Sequence, residues 1–224
     1  IGPNKDTKDK INDFVFGLSK FHNLANYITI NISSPNTVGL RDFHEKKYMG
    51  ELLKKINKLR KEKKFKTPVV IKISPNIKDQ DIENIIELIF SYDLNGVIIS
   101  NTSDSNRENL SDFKRDERGG LSGQPIKDIS TEIIKKFYKK VKSKIPIIGV
   151  GGVDSGQSAF EKITAGANAV QLYTGMVYKG PGIVKEIKKE LILTLKKEKL
   201  KSVQEAVGIN AWPLILQDLS THII

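Results

Sequence analysis

Three polar side chains close to one another in the sequence could form a binding site. Asn31, Ser34 and Asn36 follow the apolar run at residues 27–30. The β-branched residues of that run predict a buried strand, and Pro35 is expected to end it because proline donates no backbone hydrogen bond. Two carboxamides, with a hydroxyl between them, could bind a planar polar ligand. An ordinary turn, in which Ser and Asn satisfy their own backbone, is the alternative.

A lysine stands inside a second apolar run, at residues 68–74. Burying Lys72 in a covered strand would be costly unless its ammonium met an anion. We therefore expect it to face negative charge that develops on a ligand, such as a reduced flavin. Snorkelling to solvent or a structural ion pair is the alternative. Asn101 and Thr102, just beyond a third run, add two hydrogen-bonding side chains or simply begin a loop.

Two glycine-rich loops are candidates for binding a phosphate. They are residues 119–123 and 149–152, and the second lies between a predicted strand and a helix that Ser155 is expected to cap. Glycine lets backbone N–H groups approach a phosphate, and a helix N-terminus adds a favourable dipole. Tight turns are the alternative for either loop. Their joint placement, with residues 173–174 at the end of the last predicted strand, favours a phosphate site.

Helical and strand patterns alternate along the chain. Helices are predicted at residues 7–25, 46–63, 79–92, 128–143, 155–166, 181–198 and 202–207, with Asp79 as the N-cap of the third. Continuous apolar runs predict parallel strands at 27–33, 68–74, 96–100, 145–150 and 168–173. Polar and glycine residues gather at the carboxyl ends of these strands, as around the mouth of a barrel. The predicted fold is α/β, a (β/α)8 TIM barrel of which the last five βα units are present.

Composition limits the classes of partner. The net charge is +11, but the lysines are interleaved with acidic residues on predicted helices, and no nucleic-acid motif accompanies them. Nucleic acid is therefore not expected, and attraction to an anionic membrane surface is the better second use of the charge. The chain has no cysteine, which excludes a Cys nucleophile or base, and no apolar stretch long enough to span a bilayer. No metal site is predicted, because His22, His44 and His222 lack ligand spacing and are expected at the surface or at helix ends.

Six segments together resemble the class 2, quinone-dependent dihydroorotate dehydrogenases. They are residues 31–42 (NISSPNTVGLRD), 70–75 (VIKISP), 96–102 (GVIISNT), 119–123 (GGLSG), 146–152 (PIIGVGG) and 166–173 (GANAVQLY). The segments occur in the family's order, and the resemblance covers residues 1 to about 210. The soluble class 1 enzymes carry Cys at the position of the base, whereas this chain has Ser34 there, which favours class 2.

The resemblance implies oxidation of (S)-dihydroorotate to orotate in de novo pyrimidine (UMP) biosynthesis. FMN would accept the hydride, and ubiquinone or another quinone would be the final electron acceptor. Ser34 is implied as the base that removes the C5 proton. The implied substrate-binding residues are Asn31, Asn36, Asn101 and Thr102. The implied FMN contacts are Asn31, Lys72, Ser100, Gly123, Gly152, Tyr173 and Thr174, the last four at the ribityl phosphate end.

The sequence departs from the family pattern at both ends. The family's N-terminal half, with its membrane- and quinone-binding helices and first three barrel strands, is absent. Residues 1–210 are expected to be the C-terminal part of a single FMN-binding barrel domain, and residues 211–224 form an atypical tail. Peripheral attachment to a bacterial or mitochondrial inner membrane is implied through the missing segment.

The loop at residues 103–118 and the identity of the chain as a whole remain to be considered. The charged loop at residues 103–118 is predicted to be a mobile cover of the site. The alternatives for the chain as a whole are an inactive or incomplete fragment of such an enzyme, or a soluble class 1-type FMN pyrimidine dehydrogenase.

Overall fold

Helices and strands alternate in the predicted order. A computed structural model describes residues 1–105 and 107–212. The chain divides into two compact units, the first formed by residues 1–104 and 118–120 and the second by the remainder. Residues 213–224 of the predicted tail, including His222, lie outside the described residues.

The first unit contains three parallel strands, with β2 between β1 and β3. Their bounds are Ile28–Asn31 for β1, Val69–Ile73 for β2 and Gly96–Ile99 for β3. The helices are α1 (Lys10–Phe21), which precedes β1, and α2 (Lys46–Lys63) and α3 (Asp79–Ser91), which each connect two strands. Parallel neighbours need such crossovers, so the helices follow from the strand pairing.

The register of these strands determines which side chains share a face. Ile30 lies beside Ile71, and Ile71 beside Val97, and all three are completely buried. Asn31 lies beside Lys72 on the opposite face, because alternate residues of a strand point to opposite sides. Each buried aliphatic side chain contributes roughly 1.5–3 kcal/mol. The apolar face thereby fixes the register that sets Asn31 next to Lys72.

The second unit contains two parallel strands, β4 (Ile147–Val150) and β5 (Ala169–Gln171). Its helices are α4 (Lys127–Val141), α5 (Gly156–Ala165), α6 (Thr174–Lys179), α7 (Ile183–Lys197) and α8 (Val203–Ala206). One core cluster joins α5, α7 and α8 through Phe160, Ile163, Leu195, Ala206 and Val207. None of the helices in the described part of the chain has both the length and the apolarity that crossing a membrane requires.

The differences from the predicted elements are local. β1 ends at Asn31, before Pro35, because the Ser33 N–H bonds to the Asn31 side chain instead of a neighbouring strand. Asp79 is the first helical residue of α3, and Lys78 occupies the N-cap position without a side-chain cap, so that part of the prediction was wrong. A short 3-10 helix at Arg41–His44 and α6 were not predicted, since so few residues carry no readable period.

The predicted cap of α5 is confirmed and offers a test of the fold. Ser155 Oγ accepts a hydrogen bond from the Ser158 N–H at 3.1 Å, and Ser158 Oγ accepts one from the Ser155 N–H at 3.0 Å. Ser155→Ala should lower the free energy of unfolding by about 1 kcal/mol, because the Ser158 N–H loses its acceptor. Urea denaturation would measure the change. Ser155→Asn keeps an acceptor and is the matched control; equal losses in both variants would contradict the capping role.

Candidate active site

Side-chain hydrogen bonds join the carboxyl ends of β1 and β3. Asn101 Nδ2 donates to Asn31 Oδ1 at 3.2 Å and to Ser33 Oγ at 3.0 Å. Ser33 Oγ donates to Asn31 Oδ1 at 3.0 Å, and the Ser33 N–H reaches the same oxygen at 3.3 Å. Ser33 is completely buried. Asn31, Ser33 and Asn101 are called the amide cluster below.

These bonds determine which groups of the amide cluster can meet a ligand. Asn31 Oδ1 already accepts three hydrogen bonds, whereas Asn31 Nδ2 has no partner among the described residues. Asn101 uses its Nδ2 group twice inside the cluster, and its Oδ1 accepts from the Thr102 N–H at 2.8 Å. Since a carboxamide has two donor protons, Asn101 has none left. Asn31 therefore presents a donor, and Asn101 holds Asn31 in place.

Ser34 and Asn36 lie directly beyond the amide cluster. Ser34 is half-buried and Asn36 is exposed. Ser34 Oγ accepts a hydrogen bond from the Asn36 N–H at 3.3 Å, which is the local turn that the sequence offered as an alternative. An oxygen that accepts an N–H bond is stabilised in its deprotonated form. The turn is therefore compatible with proton transfer at Ser34.

Ser100 and Thr102 stand on either side of Asn101. Ser100 is buried, and its Oγ donates to the Asn101 carbonyl at 3.2 Å. Thr102 is half-buried, and the backbone of Gly120 packs directly on it: a Cβ on Gly120 would lie 1.9 Å from Thr102 Oγ1. Any side chain at position 120 would displace Thr102.

Lys72 lies on the same face of the sheet as Asn31, but it is half-buried and not fully buried as its apolar run predicted. Within the described ranges it forms no ion pair, so the structure offers no carboxylate partner for its ammonium. Burial lowers the pKa of Lys72 from its ordinary value. A partly desolvated cation of this kind is suited to an anionic ligand.

Two residues without a predicted role support the loops around the amide cluster. Arg41 donates to the Thr102 carbonyl at 3.5 Å and pairs with Asp104. His44 is the last residue of the 3-10 helix, which is one of the two positions expected for it, and it is buried. Its Nε2 accepts from the Ser74 N–H at 3.3 Å, and its Nδ1 lies 2.9 Å from the Arg41 carbonyl. Burial lowers the pKa of His44, and the neutral form protonated on Nδ1 fits both contacts.

In the second unit, two glycine turns lie against the start of α6. Thr174 Oγ1 donates to Ser122 Oγ at 2.8 Å, and Gln124 Nε2 donates to the Gly152 carbonyl at 3.1 Å. Gly123 and Gly152 have φ angles of +79° and +72°, which L side chains rarely adopt. A Cβ on Gly123 would lie 3.0 Å from Thr174 Cγ2. Gly123, Gly152 and Thr174 are called the glycine cradle below.

The glycine cradle has the donors that a phosphate needs. Among the described residues, the backbone N–H groups of Gly123, Gly152 and Thr174 have no hydrogen-bond partner. Backbone N–H groups in glycine turns can bind an anion at close range. Tyr173 precedes Thr174, with its side chain 79% exposed. These residues fit the phosphate end of a flavin mononucleotide.

The predicted site residues thus fall into two groups, one in each unit. Three further residues that hydrogen-bond to them were not predicted from the sequence. Ser33 could have been found, because residues 31 and 33 share a face of an extended segment. Ser122 stands inside the glycine loop that the sequence singled out. Nothing local indicates Gln124, since its contact with Gly152 joins residues 28 positions apart.

Comparisons with known proteins agree with this arrangement. A family model described as dihydroorotate dehydrogenase matches residues 1–195. The chain is 42% identical over 209 residues to the dihydroorotate dehydrogenase (quinone) of Bartonella tribocorum, and 44% identical over 210 residues to that of Allorhizobium ampelinum. The mitochondrial protein of the same name from Oryza sativa subsp. japonica is 42% identical over 214 residues.

Solved structures show the same similarity. The crystal structure of DHODH in complex with ferulenol from Eimeria tenella superposes with a TM-score of 0.90 at 31% identity, over 95% of this chain and 61% of that chain. The ligand-free form from the same organism gives a TM-score of 0.87 at 32% identity, over 94% of this chain and 63% of that one. The predicted α/β-barrel class is thereby confirmed, with five strand–helix units in this chain.

The comparisons also give the extent of the match. The matched segment is 92% of this chain and 58% of each bacterial relative, and 93% of this chain and 45% of the rice protein, so the chain spans about half the length of its curated relatives. The family match includes both the amide cluster and the glycine cradle. On these grounds the chain belongs to the dihydroorotate dehydrogenase family.

Proposed function

We propose that this chain is the C-terminal part of a class 2 dihydroorotate dehydrogenase, which oxidises (S)-dihydroorotate to orotate in pyrimidine biosynthesis. Residues 1–210 would form the C-terminal part of a single FMN-binding barrel domain. The amide cluster, with Ser34 directly beyond it, is the observation that carries the proposal. The relatives named for the quinone reaction support a quinone as the final electron acceptor.

The substrate offers planar N–H and C=O groups and a carboxylate to the polar side chains. Asn31 would donate through Nδ2, its group without a partner among the described residues. Asn36 and Thr102 would supply further donors and acceptors. Asn101 keeps only one acceptor lone pair of Oδ1, so its main contribution would be to orient Asn31.

Ser34 would remove the C5 proton of the substrate. A serine hydroxyl is a weak base at its ordinary pKa, so it needs an outlet for the proton and a site that excludes bulk water. The Asn36 N–H would stabilise Ser34 Oγ while negative charge develops there.

FMN, when bound, would accept a hydride from dihydroorotate and pass the electrons to the quinone. Lys72 would offer its ammonium to the flavin ring, with Asn31 and Ser100 as further contacts. The glycine cradle and Tyr173 would bind the phosphate end. A quinone is lipid-soluble, so peripheral attachment to a membrane, through a segment outside this chain, belongs to the same proposal. The net charge of +11 is compatible with an anionic membrane surface.

Ser34→Ala tests the proposed base. In the FMN-loaded protein, reduction of the flavin by dihydroorotate should slow by roughly 10²–10⁴-fold, because no group remains to take the proton. Flavin content should be unchanged, since the serine side chain is not among the proposed flavin contacts. Stopped-flow absorbance would follow the reduction, with Ser91→Ala at an exposed helix position as the control. A Ser34→Ala protein that is reduced at the parent rate would exclude Ser34 as the base.

Lys72→Met separates the functional role of Lys72 from a structural one. Reduction of bound flavin should slow by roughly 10²-fold, because one stabilising charge is lost. Stability should not fall at neutral pH. Burial lowers the pKa of Lys72 in the folded chain. At a pH below this lowered pKa, burying the charged lysine reduces the stability of the fold. The penalty is lost as the pH rises to the pKa of the same lysine in the unfolded chain.

The pH dependence of unfolding provides the second measurement for Lys72. The parent chain should gain stability between the lowered pKa and about pH 10.4, and the Lys72→Met chain should lack that gain. Lys54→Met, at an exposed position of α2, should behave as the parent in both measurements. A Lys72→Met chain that is clearly less stable than the parent at pH 7 would show that the lysine is structural.

A further inference from the structure

Lys162 is a lysine with no exposed surface, and the proposed chemistry does not use it. It lies on α5, and its Nζ donates to Ser130 Oγ at 3.2 Å, to Thr131 Oγ1 at 3.1 Å and to the Lys127 carbonyl at 3.3 Å. All three acceptors belong to the first turns of α4. The ammonium thus ties α5 to the N-terminal end of α4.

The three acceptors of Lys162 are electrically neutral. The neighbouring carboxylate of Glu161 is 3.0 Å from Lys127 Nζ, and Lys162 forms no ion pair within the described residues. Desolvation by burial lowers the pKa of Lys162 to about 8. A buried cation at the positive end of a helix is unfavourable unless an anion offsets it. The negative charges of Glu161 and Asp128 favour the charged form of Lys162, but within the described residues neither carboxylate is close enough to form an ion pair with it.

The groups that Lys162 holds also shape the turn that carries Gly152. Ser130 Oγ donates to the carbonyl of Val150, at the end of β4. A Cβ on Gly151 would lie 3.2 Å from Ser130 Cβ, and one on Gly152 would lie 2.9 Å from Lys127 Cα. The backbone of the turn is therefore packed directly on Lys127 and Ser130, two of the three α4 residues that Lys162 binds.

We propose that Lys162 is the positioning residue of the phosphate site: it fixes the start of α4 against the Gly151–Gly152 turn and adds positive charge beneath the glycine cradle. The inference rests on the proposed function, in which the cradle holds the phosphate of FMN. It implies that Lys162 contributes to recognition of the phosphate and not of the isoalloxazine ring.

The test compares FMN with riboflavin, which has the same ring system and ribityl chain but no phosphate. Dissociation constants of both flavins would be measured by fluorescence quenching for the parent chain and for Lys162→Met, Lys162→Gln and Lys188→Met. Lys162→Met should weaken FMN binding by about tenfold, because the start of α4 loses the bonds that fix it against the turn and the positive charge is removed. Riboflavin binding should be unchanged, which also reports that the variant is folded. Lys162→Gln, which keeps donors but no charge, should fall between Lys162→Met and the parent.

The outcomes separate a failure of the positioning role of Lys162 from a failure of the proposed function. Lys188→Met, at an exposed position of α7, should match the parent for both flavins. Suppose that the parent binds FMN more tightly than riboflavin. If Lys162→Met keeps that preference, or weakens the binding of both flavins equally, the positioning role is wrong and the proposed function stands. If the parent shows no preference for FMN over riboflavin, the glycine cradle is not a phosphate site, and both proposals fail.

Discussion

The polar site of the first unit is organised around the side chain of Asn31. Asn31 Oδ1 accepts hydrogen bonds from the Ser33 N–H, the Ser33 hydroxyl and Asn101 Nδ2. Asn101 Nδ2 also donates to Ser33 Oγ, so the ends of β1 and β3 are connected through these two acceptors. Because an amide oxygen with three donors cannot exchange places with its nitrogen without losing all of them, the orientation of Asn31 is fixed. Its Nδ2 group has no partner among the described residues, and the proposed function assigns it to the substrate. The turn containing Ser34 begins immediately afterwards, so the position of the hydroxyl follows from the same anchor.

In the second unit, close packing of the backbone determines the shape of the glycine cradle. Gly152 sits where a Cβ would lie 2.5 Å from Lys127 Cβ, and Gly123 where it would lie 3.0 Å from Thr174 Cγ2. Glycine is needed at both positions for two reasons, the positive φ and the lack of space. The same packing leaves N–H groups without protein partners among the described residues. A turn built to satisfy its own backbone would not do this, which is why the phosphate site is the better interpretation of these glycines.

The sequence predicted the elements better than their ends or their long-range contacts. All five strands were found, and the reason is clearest for β2 and β3, which are almost fully buried and therefore continuously apolar. β5 was found although its residues are exposed or only half-buried. The end of β1 was not, since it depends on a side-chain bond from Asn31 that competes with strand pairing. The burial of His44 was missed because it arises from contact with Ser74, 30 residues away. In the site, the residue types of Asn31, Ser34 and Lys72 pointed to a binding function. No sequence pattern could show that Asn101 donates both of its side-chain N–H groups to Asn31 and Ser33.

The lysines of this chain differ in whether a carboxylate pairs with their charge. Lys127 has Glu161 at 3.0 Å, so its charge is balanced within the protein. Lys72 in the first unit and Lys162 in the second are both desolvated, and neither has an ion pair among the described residues. A protein that needed these side chains only for packing would be at least as stable with apolar residues of similar volume. Under the proposed function, Lys72 would meet negative charge on the flavin ring, and Lys162 would support the phosphate site from α5. Packing alone therefore does not explain a desolvated lysine without an ion-pair partner in either unit.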